Sequence, residues 1–421
     1  MNNPVTDWTN NPVTDWTNSP VTGTERSPVT SLRQIHSVFC EYAQLHPIFF
    51  RDTIYIILFR GDTMSINQII MYFMAFGVLL GGTDRILGNR FGFGEKFESG
   101  FRMLGPVGLS MAGIICLAPL LSLGLGGAIK PLCSAVGIDP AILGSLLAID
   151  MGGYVMATEL ASDPVLGQFF GLIVSATFGC TIVFSIPVGV GFISHEDRPL
   201  FTRGILLGLA ALPCALITGG LMLGISIGTI LLNSLPILLI SAFLAVGVIM
   251  IPDRMMKGFQ VFARIIQIIA TFGLMVASVT HLTGIQIVPG MPPLLDAMKT
   301  VSSICIVMLG SMPLAELVQR ILKKPFAKLE EHTGLNGASS TGLLLGLFTA
   351  TPALAMIPDM DKRGKVVVSA CLVSCVCVLG AHFAFTTGVH PELVPAVLAA
   401  KFLGGIVGGG IAMVTTRNMK P

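Results

Sequence analysis

Apolar residues run along most of this chain in long, nearly unbroken stretches, and short polar loops separate one stretch from the next. From Ile66 onward each stretch is about 18–25 residues long, the length that a helix needs to cross the hydrocarbon core of a bilayer. The stretches lie at 66–82, 103–123, 140–158, 167–193, 204–226, 233–251, 262–283, 300–322, 339–357, 366–388 and 392–415. This pattern predicts an all-α polytopic membrane protein with about 9–11 transmembrane segments.

The composition excludes a soluble globular protein. Hydrophobic residues make up 53% of the chain and charged residues 11%, with a mean hydropathy of +0.81. Soluble domains carry about 25% charged residues. Most of the nine cysteines lie inside apolar stretches, where they act as small packing residues. Cys371, Cys375 and Cys377 are close in sequence, but their spacing matches no zinc pattern.

The sequence offers little support for an enzyme. It contains no P-loop, so we do not expect direct use of ATP. A membrane-embedded enzyme would need a nucleophile–base pair or a metal constellation, and the histidines and cysteines have no such spacing. We therefore expect no enzyme activity, catalytic residue, metal or cofactor, and no nucleic-acid partner.

The first 63 residues have a different composition from the rest. They repeat the heptad PVTDWTN, contain both tryptophans and are too polar and too simple to build a core. Met64 then opens MSINQIIMYFMAFG, which reads as a natural N-terminus. We expect residues 1–63 to be a low-complexity extension outside the folded protein and residues 64–421 to form the membrane domain.

The basic loops predict the topology. Lysine and arginine cluster at 83–102, 194–203, 252–264, 320–338 and 358–365. The positive-inside rule places such loops in the cytoplasm. All five reach that side only if 140–158 and 339–357 each enter and leave on one side, as re-entrant elements. Gly152-Gly153 and Pro352 with Pro358 break these two segments, and broken backbone is tolerated where it lines a cavity.

A weak internal repeat supports the same topology. A shift of 201 places GCTIVF at 179–184 over GAHFAF at 380–385, and Asp150 over Thr351. Met103-Leu104-Gly105 meets Met308-Leu309-Gly310 at a shift of 205. The halves are about 64–226 and 262–415, with 233–251 as the connector. Because the assumed topology inverts one half, the chain has the inverted-repeat pattern of secondary transporters.

Asp150 is the strongest candidate for a binding residue. It lies in GSLLAIDMGGYVMA, where no other charge occurs between Pro131 and Glu159 except Asp139. A carboxylate at membrane depth costs about 2.5–3.5 kcal/mol and usually marks a substrate or ion pathway. Gly152 and Gly153 would supply flexible backbone beside it. The alternative is that Asp150 caps a short buried helix.

Four further polar residues are candidates for substrate binding. Thr349 and Thr351, on the element equivalent to that of Asp150, could supply hydroxyls, or could bond back to their own helix. His382 could donate to a substrate or relay a proton, or could be a satisfied core histidine. Ser185 lies in IVFSIP, where Pro187 frees backbone carbonyls, although a helix kink explains that motif equally well.

The remaining charges in or beside the stretches are expected to be structural. Glu316 is predicted to pair with Arg320 one turn later. Lys401 is predicted to extend to the membrane surface. Asp84-Arg85 and MDKRGK at 360–365 are expected to fix topology or to pair with each other.

Eight short motifs, in this order and spacing, carry a family resemblance. They are INQIIMY (66–72), DRIL (84–87), AIDMGG (148–153), TIVFSIPV (181–188), GFQVFA (258–263), LGSMP (309–313), MDKRGKV (360–366) and KFLGG (401–405). From about Ser65 to Met413 the chain resembles the ethanolamine-utilisation transporter family of bacterial inner-membrane proteins. Two positions depart from the family pattern: Ala381 stands where an acidic residue precedes the histidine, and Thr349–Pro352 replaces an Asn-rich stretch.

The resemblance implies a multi-pass inner-membrane transporter or facilitator for ethanolamine, whose ammonium group suits Asp150. It implies that the protein lies in a lipid bilayer. It does not decide whether the protein forms a homo-oligomer or which ion, if any, is coupled to transport. Alternatives are a transporter of another small amine or amino acid, and a membrane docking protein for an ethanolamine-catabolic assembly. The basic loop at 320–338 would suit docking but would not explain Asp150.

Overall fold

The computed structural model describes residues 66–146 and 153–419. Asp150 and Gly152 lie outside the described residues, as does the extension at 1–63. The described residues belong to one compact unit, 64–421. Within them every regular element is a helix, and seven helices are long and apolar enough to cross a membrane. The predicted class, an all-α polytopic membrane protein, is confirmed.

The helices follow one another in this order along the chain. The α-helices are α1 (Ile66–Ile86), α2 (Phe93–Arg102), α3 (Leu104–Val136), α4 (Ile142–Leu146), α5 (Gly153–Leu160), α6 (Pro164–Gln168), α7 (Ile186–Phe192), α8 (Arg198–Ala210), α9 (Leu212–Met222), α10 (Ile227–Met250), α11 (Pro252–Thr283), α12 (Leu294–Thr333), α13 (Gly337–Gly346), α14 (Ala350–Ala355), α15 (Lys362–Cys375), α16 (Ala381–Val389) and α17 (Val394–Thr415). Phe169–Gly179 and Thr181–Ser185 are π-helical, and Ile357–Asp359 and Pro391–Leu393 are short 3-10 turns.

Two segments form helical hairpins. Gly144 of α4 lies directly against the backbone nitrogen of Ala157 in α5. Gly342 of α13 lies close to Ala353 of α14, whose carbonyl oxygen is 3.8 Å from the position of an added Cβ. In one straight helix these residue pairs would be about 16–20 Å apart. We call α4–α5 hairpin 1 and α13–α14 hairpin 2; they occupy the segments for which the loop charges predict re-entry.

A carboxylate ties together the two ends of each hairpin. At the base of hairpin 1, Asp139 is 6% exposed and accepts hydrogen bonds from the backbone nitrogens of Ala141 (2.8 Å) and Ser162 (3.0 Å). At the base of hairpin 2, Asp361 accepts from the nitrogens of Asn336 (3.1 Å) and Gly364 (3.0 Å). Each carboxylate therefore fixes both the entry and the exit of its hairpin.

Two pairs of helices cross at glycines. Gly77 of α1 lies against the carbonyl of Gly310 in α12, and Gly273 of α11 lies against that of Gly113 in α3. Neither crossing leaves room for a Cβ atom, so the backbones touch. Gly273 and Gly310 follow Gly77 and Gly113 by 196 and 197 positions. This nearly equal spacing supports the predicted internal repeat.

Both halves contain a span that is not a regular α-helix. In the first half, 164–192 is π-helical over most of its middle. In the second half, α15 ends at Cys375 and α16 begins at Ala381, so 376–380 separates two helices. Thr181 joins the two spans, because its hydroxyl donates to the carbonyl of Val373 at 2.9 Å. The two spans with irregular backbone thus contact each other.

The basic segments contact one another. Arg320 donates to the carbonyl of Phe91 at 2.8 Å, which joins 320–338 to 83–102. Arg363 donates to Thr333 at 2.7 Å, and Lys365 pairs with Asp197 at 2.5 Å, which joins 358–365 to 320–338 and to 194–203. These contacts support the prediction for four of the five basic segments, 83–102, 194–203, 320–338 and 358–365, that they share one side of the membrane.

The contacts of Glu316, Lys401 and Asp84-Arg85 bear on three of the structural predictions. The pair of Glu316 and Arg320 is confirmed, with a separation of 2.8 Å. Lys401 does not extend to the surface: its side chain is 0% exposed and donates to the carbonyl of Ala176. The prediction was wrong because Lys401, about two turns inside α17, faces the π-helical segment of the first part of the chain and not the membrane surface.

Asp84-Arg85 and residues 360–365 also do not pair with each other. Asp84 is fully buried and accepts from the nitrogens of Phe91 and Gly94, which holds the turn between α1 and α2. Arg85 pairs with Glu98 at 2.7 Å. The Asp84-Arg85 motif is therefore held by the turn that follows α1 and by α2.

Candidate functional site

Hairpin 2 pairs with the break in the second irregular span. The backbone nitrogens of Cys377 and Leu379 donate to the carbonyls of Gly346 and Leu347, both at 2.8 Å. Gly380 lies directly against the carbonyl of Phe348, where no Cβ would fit. The two interrupted helices thus satisfy each other's backbone groups, which apolar surroundings would otherwise leave unpaired at a large cost. This junction brings non-helical backbone from two elements together.

His382 lies beside this junction. It is 3% exposed, and its Nδ1 is 3.1 Å from the carbonyl oxygen of Val376. Because a carbonyl oxygen can only accept, Nδ1 carries a proton and donates. The interruption of the helix frees the Val376 carbonyl for this bond. His382 is therefore a held core histidine on its Nδ1 side, and its predicted role toward a substrate stays a prediction.

The two candidate threonines lie at the tip of hairpin 2. Thr349 is half-buried and precedes α14 with an extended backbone, and its side chain does not cap the helix. Thr351 is exposed in the first turn of α14. Neither hydroxyl makes a hydrogen bond to the described residues, in contrast to Thr386 and Thr387, which bond back to their own helix. The back-bonding alternative therefore does not apply to Thr349 or Thr351 in this structure.

Ser185 is a buried hydroxyl at the end of the second π-helical segment. It is 1% exposed, and its Oγ has no hydrogen-bond partner among the described residues. An unpaired buried hydroxyl is unfavourable unless something binds to it. The helix that follows it, α7, packs against α14. Ser185 is therefore close in the fold to the hairpin that carries Thr351.

Hairpin 1 holds the remaining candidates. Gly153 is buried and begins α5. Asp150 and Gly152, just before it, lie outside the described residues, so their positions in the site stay predictions. Around them the structure fixes both ends of the hairpin. Ser145 donates to the carbonyl of Phe170 at 2.7 Å, which anchors hairpin 1 on the π-helical segment.

Two polar contacts in this region are ones that sequence reasoning missed. Lys401 of α17 donates to the carbonyl of Ala176 at 2.5 Å, inside the π-helical segment. Tyr154 of hairpin 1 bonds to His390, which follows α16, at 2.8 Å. The signal for Lys401 was its position within the apolar run AAKFLGG. No local signal predicts a bond between residues 236 positions apart.

Comparison with known proteins gives strong matches over the whole membrane region. The family described as ethanolamine utilisation protein EutH matches residues 66–415. A protein of Listeria monocytogenes named probable ethanolamine permease EutH is 38% identical over 357 residues, covering 85% of this chain and 96% of the relative. One of Salmonella typhimurium with the same name is 35% identical, covering 83% and 96%. The uncharacterized protein YxeR of Bacillus subtilis is 38% identical over 350 residues, covering 83% and 95%. No solved structure matches the chain.

Proposed function

This chain belongs to the EutH family of ethanolamine utilisation proteins, and we propose that it is a transporter that takes up ethanolamine across a bacterial inner membrane. The names of its relatives from Listeria and Salmonella support this substrate. The seven membrane-length helices of the described part and the glycine crossings of the repeat support a carrier architecture.

The junction between hairpin 2 and residues 376–380 is the observation that carries the proposal. Transporters of this kind bind substrate where interrupted helices meet. Three hydroxyls near the junction, those of Ser185, Thr349 and Thr351, have no hydrogen-bond partner in the described residues. They are available to a small polar substrate.

Ethanolamine fits this chemistry because it has one ammonium and one hydroxyl group. The ammonium has three donors and needs acceptors. In the proposal Asp150 supplies a carboxylate, with Gly152 and Gly153 giving the backbone access to the substrate. The substrate hydroxyl then bonds with Thr351, Thr349, Ser185 or His382. The proposed activity is therefore transport and not catalysis. The role given to each side chain rests on the sequence.

Uptake of radiolabelled ethanolamine into proteoliposomes tests the proposal. We expect protein-dependent uptake that unlabelled ethanolamine competes. Asp150→Asn should lower the uptake by about tenfold or more, because one charge-assisted interaction is worth at least about 1.4 kcal/mol. Glu159→Gln is the matched control, since it removes an exposed carboxylate of the same hairpin.

The outcomes distinguish an error in the proposed substrate from an error in the proposed site. Uptake no greater than in empty liposomes would overturn the proposal. Wild-type uptake in Asp150→Asn would leave the transporter in place and make Asp150 a structural residue. Protein-dependent uptake of another labelled small amine, with none of ethanolamine, would replace the substrate and keep the function class.

A further inference from the structure

A chain of three polar side chains joins hairpin 1 to the second half of the fold. The hydroxyl of Tyr154 lies 2.8 Å from Nε2 of His390, and Nδ1 of His390 lies 2.5 Å from a carboxylate oxygen of Glu392. Tyr154 is the second residue of α5, whereas His390 and Glu392 follow α16. The bonds thus connect elements that belong to different halves of the repeat.

These three residues lead from the surface into the interior. The side chain of Glu392 is 49% exposed and that of His390 25%. The ring of Tyr154 packs edge-on against Phe385 at 5.8 Å, and Phe385 is 3% exposed. His382, beside the junction, lies on the same helix as Phe385, about one turn earlier. Opening the contact would therefore expose the route toward the candidate site.

The contact lies at the end of the fold opposite to the basic segments. Along the single helix α12, Gly388 packs against Ile304, whereas Arg363 reaches Thr333. These two points of α12 are about 43 Å apart at 1.5 Å per residue. If the basic segments face the cytoplasm, His390 lies at the external side.

We propose that Tyr154, His390 and Glu392 form an external gate, a clasp between hairpin 1 and the second half that must release for substrate to enter. The inference rests on the proposed transport function. Glu392 orients the imidazole through Nδ1, so that Nε2 meets the Tyr154 hydroxyl. The backbone of Tyr154 touches Gly171, with 2.9 Å between its Cα and an added Cβ there, so the clasp releases either by rotation of the Tyr154 side chain or by a movement of hairpin 1 away from Gly171.

A metal bridge tests whether the clasp must open. Tyr154→Phe removes only the hydroxyl, whereas Tyr154→His places a second imidazole opposite Nε2 of His390. Two imidazoles can bind Zn²⁺ with water completing the coordination, while Glu392 holds Nδ1 of His390 as an outer-shell partner. In proteoliposomes, externally added micromolar Zn²⁺ should lower uptake by Tyr154→His about tenfold or more, and EDTA should restore it. The wild type and the double variant Tyr154→His/His390→Gln should keep their uptake. Full uptake by Tyr154→His with bound Zn²⁺ would overturn the gate.

Thiol labelling tests the gate without any assumption about the substrate. Thr386 is 2% exposed and lies one turn before His390, so Thr386→Cys reports on the space beneath the clasp. Tyr154→Phe should raise its labelling rate with a membrane-impermeant external reagent about threefold or more, since one lost hydrogen bond is worth about 1 kcal/mol. Tyr72→Phe, a hydroxyl removed elsewhere, and Ser369→Cys, a buried reporter on α15, should leave the labelling unchanged.

The two measurements separate failure of the gate from failure of the function. Unchanged labelling of Thr386→Cys in Tyr154→Phe would overturn the gate even if ethanolamine uptake is observed. Faster labelling in a protein that does not take up ethanolamine would support the gate and refute the substrate.

Discussion

Lys401 and Ala176 join the last span of the protein to the π-helical segment of the first half, through a hydrogen bond of 2.5 Å from a fully buried ammonium to a backbone carbonyl. An ammonium at such depth is costly unless it meets acceptors. The wider turn of a π-helix leaves its carbonyls less regularly paired, and π-helical turns occur often at functional sites. Lys401 therefore stabilises the irregular backbone on which hairpin 1 rests.

Lys401→Ala should destabilise the protein strongly. The substitution leaves the Ala176 carbonyl without this donor and opens a cavity in a buried region, which together cost about 3 kcal/mol or more. Thermal unfolding of the purified protein in detergent measures the effect. Lys299→Ala, an exposed lysine of α12, should change stability by less than about 0.5 kcal/mol. Equal midpoints for the two variants would contradict the role of Lys401.

Asp361→Ala should loosen hairpin 2. The carboxylate caps α15 through the nitrogen of Gly364 and also accepts from Asn336 and from the hydroxyl of Ser339 at 2.9 Å. Loss of a cap together with a second lost acceptor costs about 2–3 kcal/mol. Hydrogen exchange of 336–346 should accelerate, while that of α1 should not. Uniform acceleration throughout the protein would argue against a local clamp.

Gly113→Val should disrupt the crossing of α3 and α11. An added side chain would overlap the carbonyl of Ala270, and overpacking of a tight contact costs about 1–3 kcal/mol or more. Gly77→Val should have a similar effect at the corresponding crossing, while Gly105→Val, where no atom lies within 4 Å of an added Cβ, should be tolerated. The fraction of folded protein in gel filtration after detergent extraction measures all three. A collapse caused by Gly105→Val alone would refute this assignment of the crossings.

Ser185→Ala should weaken substrate uptake without destabilising the protein. Because Oγ has no partner in the described residues, its removal should change the unfolding free energy by less than about 0.5 kcal/mol. If the hydroxyl binds substrate, the KM for uptake should rise about fivefold, equivalent to one hydrogen bond of about 1 kcal/mol. Thr181→Val, which loses the bond to Val373, should instead destabilise the protein by about 1–2 kcal/mol. An unchanged KM in Ser185→Ala would remove Ser185 from the site.

The sequence predicts the larger features of the fold because they depend on chain-wide patterns. The length of each apolar stretch identifies the spans, and the sign of the loop charges singles out 140–158 and 339–357, where the hairpins lie. The pairing of Glu316 with Arg320 is predictable because it occurs within one helical turn.

Contacts between distant segments could not be predicted in the same way. Lys401 was assigned to the surface because it lies near the start of the stretch at 392–415, whereas it is buried by the packing of α17 against the distant π-helical segment. The bond between Tyr154 and His390 depends on how the two halves pack, and nothing local to either residue indicates it. The pairing of Cys377 with Gly346 requires two interrupted helices to meet, which hydropathy does not report.

The two glycine crossings have a mechanical consequence. At Gly77–Gly310 and at Gly113–Gly273 the closest atoms are backbone carbonyl oxygens, and the side chains of Leu314 and Leu117 pack beside them. Small residues at a helix crossing let the two backbones approach closely, so each crossing fixes the distance between its two helices. Each crossing joins a helix from the N-terminal part of the membrane domain to one from the C-terminal part, α1 to α12 and α3 to α11. The two parts are thus held together at two points where a side chain added to either glycine would force the helices apart.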